Sequence, residues 1–198
     1  MARMSIVFCS RNAGKIKEMA ELLKPLNVDV LSAADVDIPE VEETGRSFEE
    51  NALIKAKAGA QVSGLPTLAD DSGLCVHALN NEPNIYTARF AQKCGGYPKA
   101  FENLLKRLEE KKDKSAHFEC CLVLAFPNGK SFSYTGKVNG KIVPPQEGKE
   151  GFGFDPIFMP DGFKQTFSQI PESKKNDISH RGKAVAAFIK DFKKIIEM

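Results

Sequence analysis

The feature that most restricts the fold is an alternation of short apolar runs and helical periodicity in the first half of the chain. Residues 6–8 are an apolar run of strand length, and Val28, Val30 and Leu31 suggest a second short strand. The apolar positions between them recur at the three- and four-residue spacing of a helix. Ser47 followed by Glu50 fits the start of a further helix with a face of small side chains. This alternation is typical of an α/β fold built on a mixed sheet.

The rest of the chain adds further predicted strands, a hairpin and two helices. The stretch PTLADDSGLCVHAL, residues 66–79, is interpreted as a strand, an acidic turn and a second strand. A helix is expected near Pro98, a β-hairpin around the Pro-Asn-Gly turn at 127–129, and a last helix from about Gly182. With 198 residues, the chain is predicted to be a single domain, 1–198, with a smaller lobe within about 115–150.

Composition excludes several classes of protein. No apolar run approaches the ~20 residues that a membrane helix needs, and the first ten residues lack the pattern of a signal peptide. A net charge of +2 is too small for a nucleic-acid surface, so any anion-binding site must be local. Five cysteines without a CxxC pair are expected to be free thiols of a cytoplasmic protein.

A cluster of small, polar and basic residues separates the first predicted strand from the first helix. It lacks the spacing of a P-loop or of a dinucleotide-binding turn, so an ordinary strand–helix turn remains an alternative. A helix N-terminus can nevertheless bind an anion, because it presents unpaired N–H groups and the positive end of the helix dipole. The candidate phosphate-binding residues are Ser10, Arg11, Asn12, Ala13, Gly14 and Lys15.

Two adjacent carboxylates, Asp70 and Asp71, form the second candidate site. Placing them together is costly unless solvent or a cation compensates, and successive strand residues point to opposite faces, so one of the two is expected to enter a given site. They are either a solvated acidic turn or a Mg²⁺ ligand and a base that activates water. Nearby glutamates could supply a second carboxylate: Glu42, Glu43, Glu49 and Glu50.

The stretch GFGFDPIF, residues 151–158, combines two phenylalanines with glycines and an Asp-Pro step. It is either a hydrophobic plug at the start of a strand or a stacking platform for a planar base, with Asp155 fixing the loop.

The stretch KKNDISHRGKA, residues 174–184, places basic residues at the start of the last predicted helix. Such a run is often a solvated face. Cations at a helix N-terminus oppose its dipole, however, so a bound anion or a purine edge read by Arg181 would explain the placement.

Taken together, six stretches resemble the inosine triphosphate pyrophosphatase family, which hydrolyses non-standard purine nucleoside triphosphates to the monophosphate and pyrophosphate. The matching stretches are SRNAGK, EETG, SFEENALIKA, LADDSGL, GFGFDPIF and SHRGKA. The resemblance implies an elongated α/β fold with a central mixed sheet flanked by helices, and two lobes with a substrate cleft between them. It also implies a homodimer, a purine nucleoside triphosphate substrate and a Mg²⁺ requirement.

Carried over position by position, the resemblance assigns roles to individual residues. The turn from Ser10 to Lys15, together with Lys55, would hold phosphates, and Ser72 would contact the substrate. Asp71 would be the base and a metal ligand, with Glu42 as the second carboxylate on the metal side. The base pocket would be formed by Phe152, Gly153, Phe154, Asp155, Lys175, His180 and Arg181.

Two other functions remain as alternatives to this assignment. One is a pyrophosphatase for modified pyrimidine nucleotides, as in the Maf-like relatives of similar architecture. The other is a sensor that binds a nucleotide without turning it over, although a pure phosphate binder gains nothing from paired aspartates. Turnover of a panel of nucleotides distinguishes all three.

Overall fold

The computed structural model of the protein describes residues 4–197, which contain seven strands and six α-helices. The strands are β1 (Ser5–Phe8), β2 (Asp29–Ser32), β3 (Thr67–Val76), β4 (Glu82–Pro83), β5 (Ser115–Ala125), β6 (Ser131–Ile142) and β7 (Phe158–Pro160). The helices are α1 (Ala13–Leu23), α2 (Phe48–Ser63), α3 (Thr87–Cys94), α4 (Tyr97–Leu108), α5 (Glu172–Ile178) and α6 (His180–Ile196).

The strands form one mixed sheet in the order β2-β1-β3-β5-β6-β7, with β4 paired to β3. Strand β1 pairs in parallel with both β2 and β3, whereas β4 and β7 pair antiparallel with their neighbours. The predicted hairpin is also present, because β5 and β6 are neighbours joined by a turn in which Gly129 N donates to the Phe126 carbonyl. The predicted α/β class with a mixed sheet flanked by helices is therefore confirmed.

Strand β3 corrects one prediction from the sequence. The expected strand–turn–strand over 66–79 is wrong, because β3 runs without a break from Thr67 to Val76 and carries Asp70 and Asp71 in its middle. Both carboxylates are buried, with 2% and 6% of their surface exposed. They tolerate burial because basic and amide side chains from neighbouring elements surround them, which removes the need for a solvated turn.

Side-chain caps start the two helices that follow the first two strands. Asn12 caps α1 by accepting a hydrogen bond from Lys15 N at 3.1 Å. Ser47 caps α2 by accepting from Glu50 N at 3.1 Å, as the sequence predicts. In a standard capping box the Glu50 carboxylate would accept a hydrogen bond from Ser47 N. Here it accepts from Arg46 N, the residue before the cap.

The cap of α2 leads to a first prediction. Ser47→Ala removes the acceptor for Glu50 N, so we expect the free energy of unfolding to fall by about 1 kcal/mol. Urea denaturation of both proteins measures the difference. An unchanged midpoint would show that Ser47 does not contribute to the stability of this helix.

The chain divides into two compact units. The first unit contains the described residues up to Asp71, residues 120–136 and the described residues from Arg181 onward. The second contains 72–119 and 137–180, so β3, β5 and β6 each contribute to both units. The single-domain organisation with a smaller lobe within about 115–150 stays a prediction.

Each unit has its own hydrophobic core. The core of the first unit packs α1 and α6 on the sheet, and its largest members are Ile6, Phe8, Met19, Leu68, Phe188 and Phe192. The core of the second unit packs α4 on its part of the sheet, and its largest members are Phe101, Leu104, Phe118, Phe154, Phe158 and Phe167.

All five cysteines are free thiols, as predicted, and four of them are buried. Among residues 4–197, no helix combines the length and the apolar character that crossing a membrane requires.

Candidate active site

The turn between β1 and α1 is organised by its own side chains. Ser10 Oγ accepts from Asn12 N at 3.3 Å, and Asn12 in turn caps α1. Arg11 is anchored away from the helix start, because its guanidinium donates to the Ile38 carbonyl at 3.0 Å. Asn12 and Ala13 are exposed, so the N-terminal turn of α1 lies at the surface of the unit, where it can receive an anion.

Lys15 projects from this helix onto β3, where Asp70 accepts from two basic side chains. Asp70 Oδ2 lies 3.0 Å from Lys15 Nζ and 3.0 Å from Arg181 Nη2. Arg181 also pairs with Glu18 of α1, so its guanidinium connects α6, β3 and α1. Burial alone would raise the pKa of Asp70, but Lys15, Arg181 and Lys55 hold that pKa well below its usual range. Asp70 is therefore a permanent anion that fixes Lys15.

One oxygen of this carboxylate has no hydrogen-bond partner within residues 4–197. It is Asp70 Oδ1, which is buried. An ionised oxygen that lacks a donor is unfavourable in a buried site, so this atom can accept a hydrogen bond from water or from a bound molecule.

Asp71 lies beside these residues and contacts two side chains of α2. Asn51 Nδ2 donates to Asp71 Oδ2 at 3.0 Å, and Lys55 Nζ lies 3.8 Å from Asp71 Oδ1. Burial raises the pKa of Asp71 to about 6, although Lys55 and Lys15 act in the opposite direction. A carboxyl group whose pKa lies near neutrality is suited to accepting a proton from water.

Lys55 connects Asp71 to the acidic loop before α2, residues 37–47. Its ammonium group contacts Glu43 Oε1 at 2.5 Å as well as Asp71. Burial alone would lower the pKa of Lys55, but Asp71, Asp70 and Glu43 together raise it, so the side chain stays charged. A partly buried ammonium beside the candidate base can neutralise an approaching phosphate.

The two glutamates of this loop differ in their surroundings. Glu42 is exposed, whereas Glu43 is half-buried and reaches Lys55. Within residues 4–197, no group of three His, Cys, Asp or Glu side chains forms a metal cluster. Mg²⁺ commonly takes one or two carboxylates and completes its shell with substrate phosphates and water, so Asp71 and one loop glutamate have suitable donors. The metal-ligand roles of Glu42 and Asp71 stay predictions.

The second unit contains the loop of the predicted base pocket. Asp155 Oδ2 accepts from Phe152 N and from Lys175 Nζ, both at 2.7 Å, which fixes the loop as the sequence suggests. Lys175 Nζ also lies 5.0 Å from the centre of the Phe152 ring, a cation–π contact. Gly151 has φ +75°, and a Cβ there would collide with Asp155 Oδ2, so this turn requires glycine.

The two phenylalanines of this loop have different environments. Phe154 is 2% exposed and packs in the core against Tyr97, Phe101 and Phe90, with ring centroids 5.3, 5.7 and 6.4 Å away. The interpretation as a hydrophobic plug therefore fits Phe154. Phe152 is half-buried, and its role as a stacking surface stays a prediction.

The remaining predicted site residues are divided between the units. Ser72 is half-buried and His180 is buried in the second unit, where the His180 ring stacks on Phe118 at a centroid distance of 4.8 Å. Arg181 belongs to the first unit, and its pairing with Asp70 and Glu18 offsets the cost of a cation at the start of α6. The substrate contacts assigned to these residues stay predictions.

Sequence reasoning missed two side chains that surround the predicted ones, Glu18 and Asn51. It named Glu43 and Asp70 as candidates but not their ionic partners, Lys55 for Glu43 and Lys15 and Arg181 for Asp70. One signal was available for Asn51: it precedes Lys55 by one helical turn, so both side chains share a face of α2.

Comparison with known proteins identifies related sequences. The sequence model of the Ham1 family matches residues 6–191. A dITP/XTP pyrophosphatase of Gluconobacter oxydans is 44% identical over 184 residues, which cover 93% of this chain and 88% of the relative. A dITP/XTP pyrophosphatase of Desulfotalea psychrophila is 40% identical, over 97% of this chain and 86% of the relative.

Solved structures agree with the sequence comparison. A HAM1 protein from Coxiella burnetii superposes with a TM-score of 0.88 at 37% identity, covering 96% of this chain and 99% of the other. A nucleoside-triphosphatase, or dITP/XTP pyrophosphatase, from Mycobacterium abscessus gives a TM-score of 0.74 at 39% identity, with coverages of 94% and 99%.

Proposed function

Because this chain belongs to the Ham1 family, we propose that it hydrolyses dITP, XTP and ITP to the nucleoside monophosphate and pyrophosphate. The observation that carries the proposal is the environment of Asp71, a buried carboxyl group that accepts a hydrogen bond from Asn51 and lies next to the partly buried ammonium group of Lys55. Curated relatives at 40–44% identity, named dITP/XTP pyrophosphatases, support the substrate class.

Attack of water on the α-phosphate requires a proton acceptor and positive charge near the phosphates. Asp71 takes the proton of the attacking water. Lys55 lies beside it, and Lys15 lies at the strand–helix turn, so two ammonium groups of the first unit offset part of the charge of the triphosphate.

Asp71 and a glutamate of the loop before α2 would hold Mg²⁺, for which their carboxylate oxygens are suitable donors. When bound, the ion neutralises charge that develops on the departing pyrophosphate. Lys55 and Asn51 keep the Asp71 carboxylate in place beside it.

Selection of the base follows from the purine 6-position. Hypoxanthine and xanthine present an O6 acceptor there, whereas adenine presents an N–H₂ donor. Lys175 is a donor without acceptor capacity and lies against the half-buried Phe152 ring. A pocket built from these side chains favours O6 and disfavours adenine.

The test is pyrophosphate release from a panel of dITP, ITP, XTP, dATP and dUTP, with orthophosphate measured separately. We expect pyrophosphate from the first three, with kcat/KM for dITP about 100-fold or more above that for dATP. Preferential turnover of dUTP would favour a pyrimidine-directed pyrophosphatase. Tight binding of dITP without turnover would favour a nucleotide sensor.

Removal of divalent metal provides a second prediction for this function. We expect EDTA to abolish pyrophosphate release and Mg²⁺, added in excess, to restore it, because the two site carboxylates need a cation between them and the phosphates. Melting temperature measured in both conditions is the control. Full activity of an EDTA-treated, metal-free protein would overturn the Mg²⁺ assignment.

We also propose that the protein is a homodimer located in the cytoplasm. Its five free thiols suit a reducing compartment, and its proposed substrates belong to the nucleotide pool. Light scattering coupled to size-exclusion chromatography measures the molar mass. A mass near 21.8 kDa would identify a monomer.

A further inference from the structure

Asn51 is a buried amide in the first turns of α2, with 2% of its surface exposed. An amide in such a position must satisfy both its donor and its acceptor, or it destabilises the fold. Its Oδ1 accepts from Gly45 N at 2.8 Å, and its Nδ2 donates to Asp71 Oδ2 at 3.0 Å. The two contacts permit one orientation of the amide, because the flipped group would direct Oδ1 at a carboxylate and Nδ2 at an N–H group.

The contact with Gly45 ties Asn51 to the acidic loop. A Cβ on Gly45 would meet Asn51 Oδ1 at 2.6 Å and Asn51 N at 2.9 Å, so the loop backbone lies directly on the start of α2. Two residues earlier, Glu43 reaches Lys55, which also faces Asp71. The loop, α2 and β3 are thus connected in a closed circuit of hydrogen bonds and ion pairs.

Within this circuit, α2 approaches Asp71 through two side chains that are one helical turn apart. Lys55 supplies charge near Oδ1, whereas Asn51 supplies a neutral, directional hydrogen bond to Oδ2. The amide restricts rotation of the carboxylate, and an aspartate in its place would set two buried carboxylates against each other.

We propose that Asn51 is a positioning residue, which holds the Asp71 carboxylate in its reactive orientation and connects it to the acidic loop. The proposal rests on the function proposed above, in which Asp71 is the base. Asn51 makes no assigned contact with phosphate or purine, so its loss reduces the rate of the chemical step and leaves nucleotide affinity largely unchanged.

The experiment compares Asn51→Asp and Asn51→Ala with the wild type. Asn51→Asp keeps the shape and the acceptor for Gly45 N but loses the donor to Asp71. Asn51→Ala loses both contacts. The control is Asn103→Asp, the same chemical change at an exposed position of α4. Each protein is assayed well below its own melting temperature, with dITP as substrate and a non-hydrolysable dITP analogue as the binding probe.

We expect kcat to fall about 10- to 100-fold in both Asn51 variants, as for the loss of a hydrogen bond to a charged group, while the Kd of the analogue changes by less than about threefold. The control should match the wild type in both quantities. A kcat within about threefold of the wild type in either Asn51 variant, or a Kd that weakens in step with kcat, would overturn the positioning role. A wild type that does not turn over dITP would instead contradict the proposed function.

Discussion

Asp71→Asn is expected to lower kcat for dITP by at least about 100-fold while the fold persists. The substitution removes the group that accepts the proton of water and one of the two carboxylates that suit Mg²⁺. The asparagine has nearly the same volume, and its side-chain oxygen can still accept from Asn51 Nδ2. Lys55 keeps Glu43 as an ionic partner, so no charge is left isolated in the interior.

The measurement is steady-state kinetics with pyrophosphate detection, together with the melting temperature of both proteins. Asp161→Asn is the matched control, because Asp161 is exposed in the turn after β7. Its substitution changes the charge of the protein by the same amount. Turnover within about tenfold of the wild type would remove Asp71 from the mechanism.

Arg181→Met should produce the largest loss of stability. The guanidinium pairs with both Asp70 and Glu18, whose side chains are 1% and 6% exposed. The substitution takes a positive charge away from two carboxylates in the interior. Removing one partner of a buried ion pair costs about 3–5 kcal/mol, so we expect the free energy of unfolding to decrease by that amount.

Arg107→Met is the control for Arg181→Met. Arg107 pairs with Glu82 at the surface, where the two side chains are 37% and 58% exposed, and such pairs contribute about 0–1 kcal/mol. Guanidinium denaturation measures both variants. Equal losses in the two would mean that the buried network of Arg181 adds nothing beyond a surface pair.

The same network changes how the predicted base-reading role of Arg181 should be tested. The guanidinium is 2% exposed and engaged by two carboxylates, so its substitution affects stability as well as any contact with a purine. The ratio of kcat/KM for ITP to that for ATP should therefore be measured well below the melting temperature of the Arg181 variant. At such a temperature the ratio reports on base recognition and not on unfolding.

Local patterns along the chain predicted the elements of the fold well. Ser47 and Glu50 indicated the start of α2, and the Pro-Asn-Gly turn indicated the hairpin of β5 and β6. These features are predictable because hydrogen bonds between close neighbours in sequence determine them.

The acidic segment of β3 was predicted incorrectly, because the groups that neutralise it come from distant parts of the chain. Asp70 pairs with Arg181, 111 positions away, and Asp71 bonds to Asn51, 20 positions away. A single sequence shows two adjacent aspartates and no partners, for which a solvated turn is the natural interpretation. Asn51 was missed for the same reason, since its function depends on what lies opposite it.

The uninterrupted course of β3 makes the length of this segment as critical as its composition. Consecutive side chains of a strand alternate between faces, so Asp70 and Asp71 supply an anion to two separate networks from adjacent positions. An insertion of one residue between Thr67 and Ala69 would move Asp70 into the place of Asp71, facing Asn51, and would leave Ala69 opposite Arg181. A change in residue count would therefore disrupt the hydrogen bonds and ion pairs of both aspartates at once.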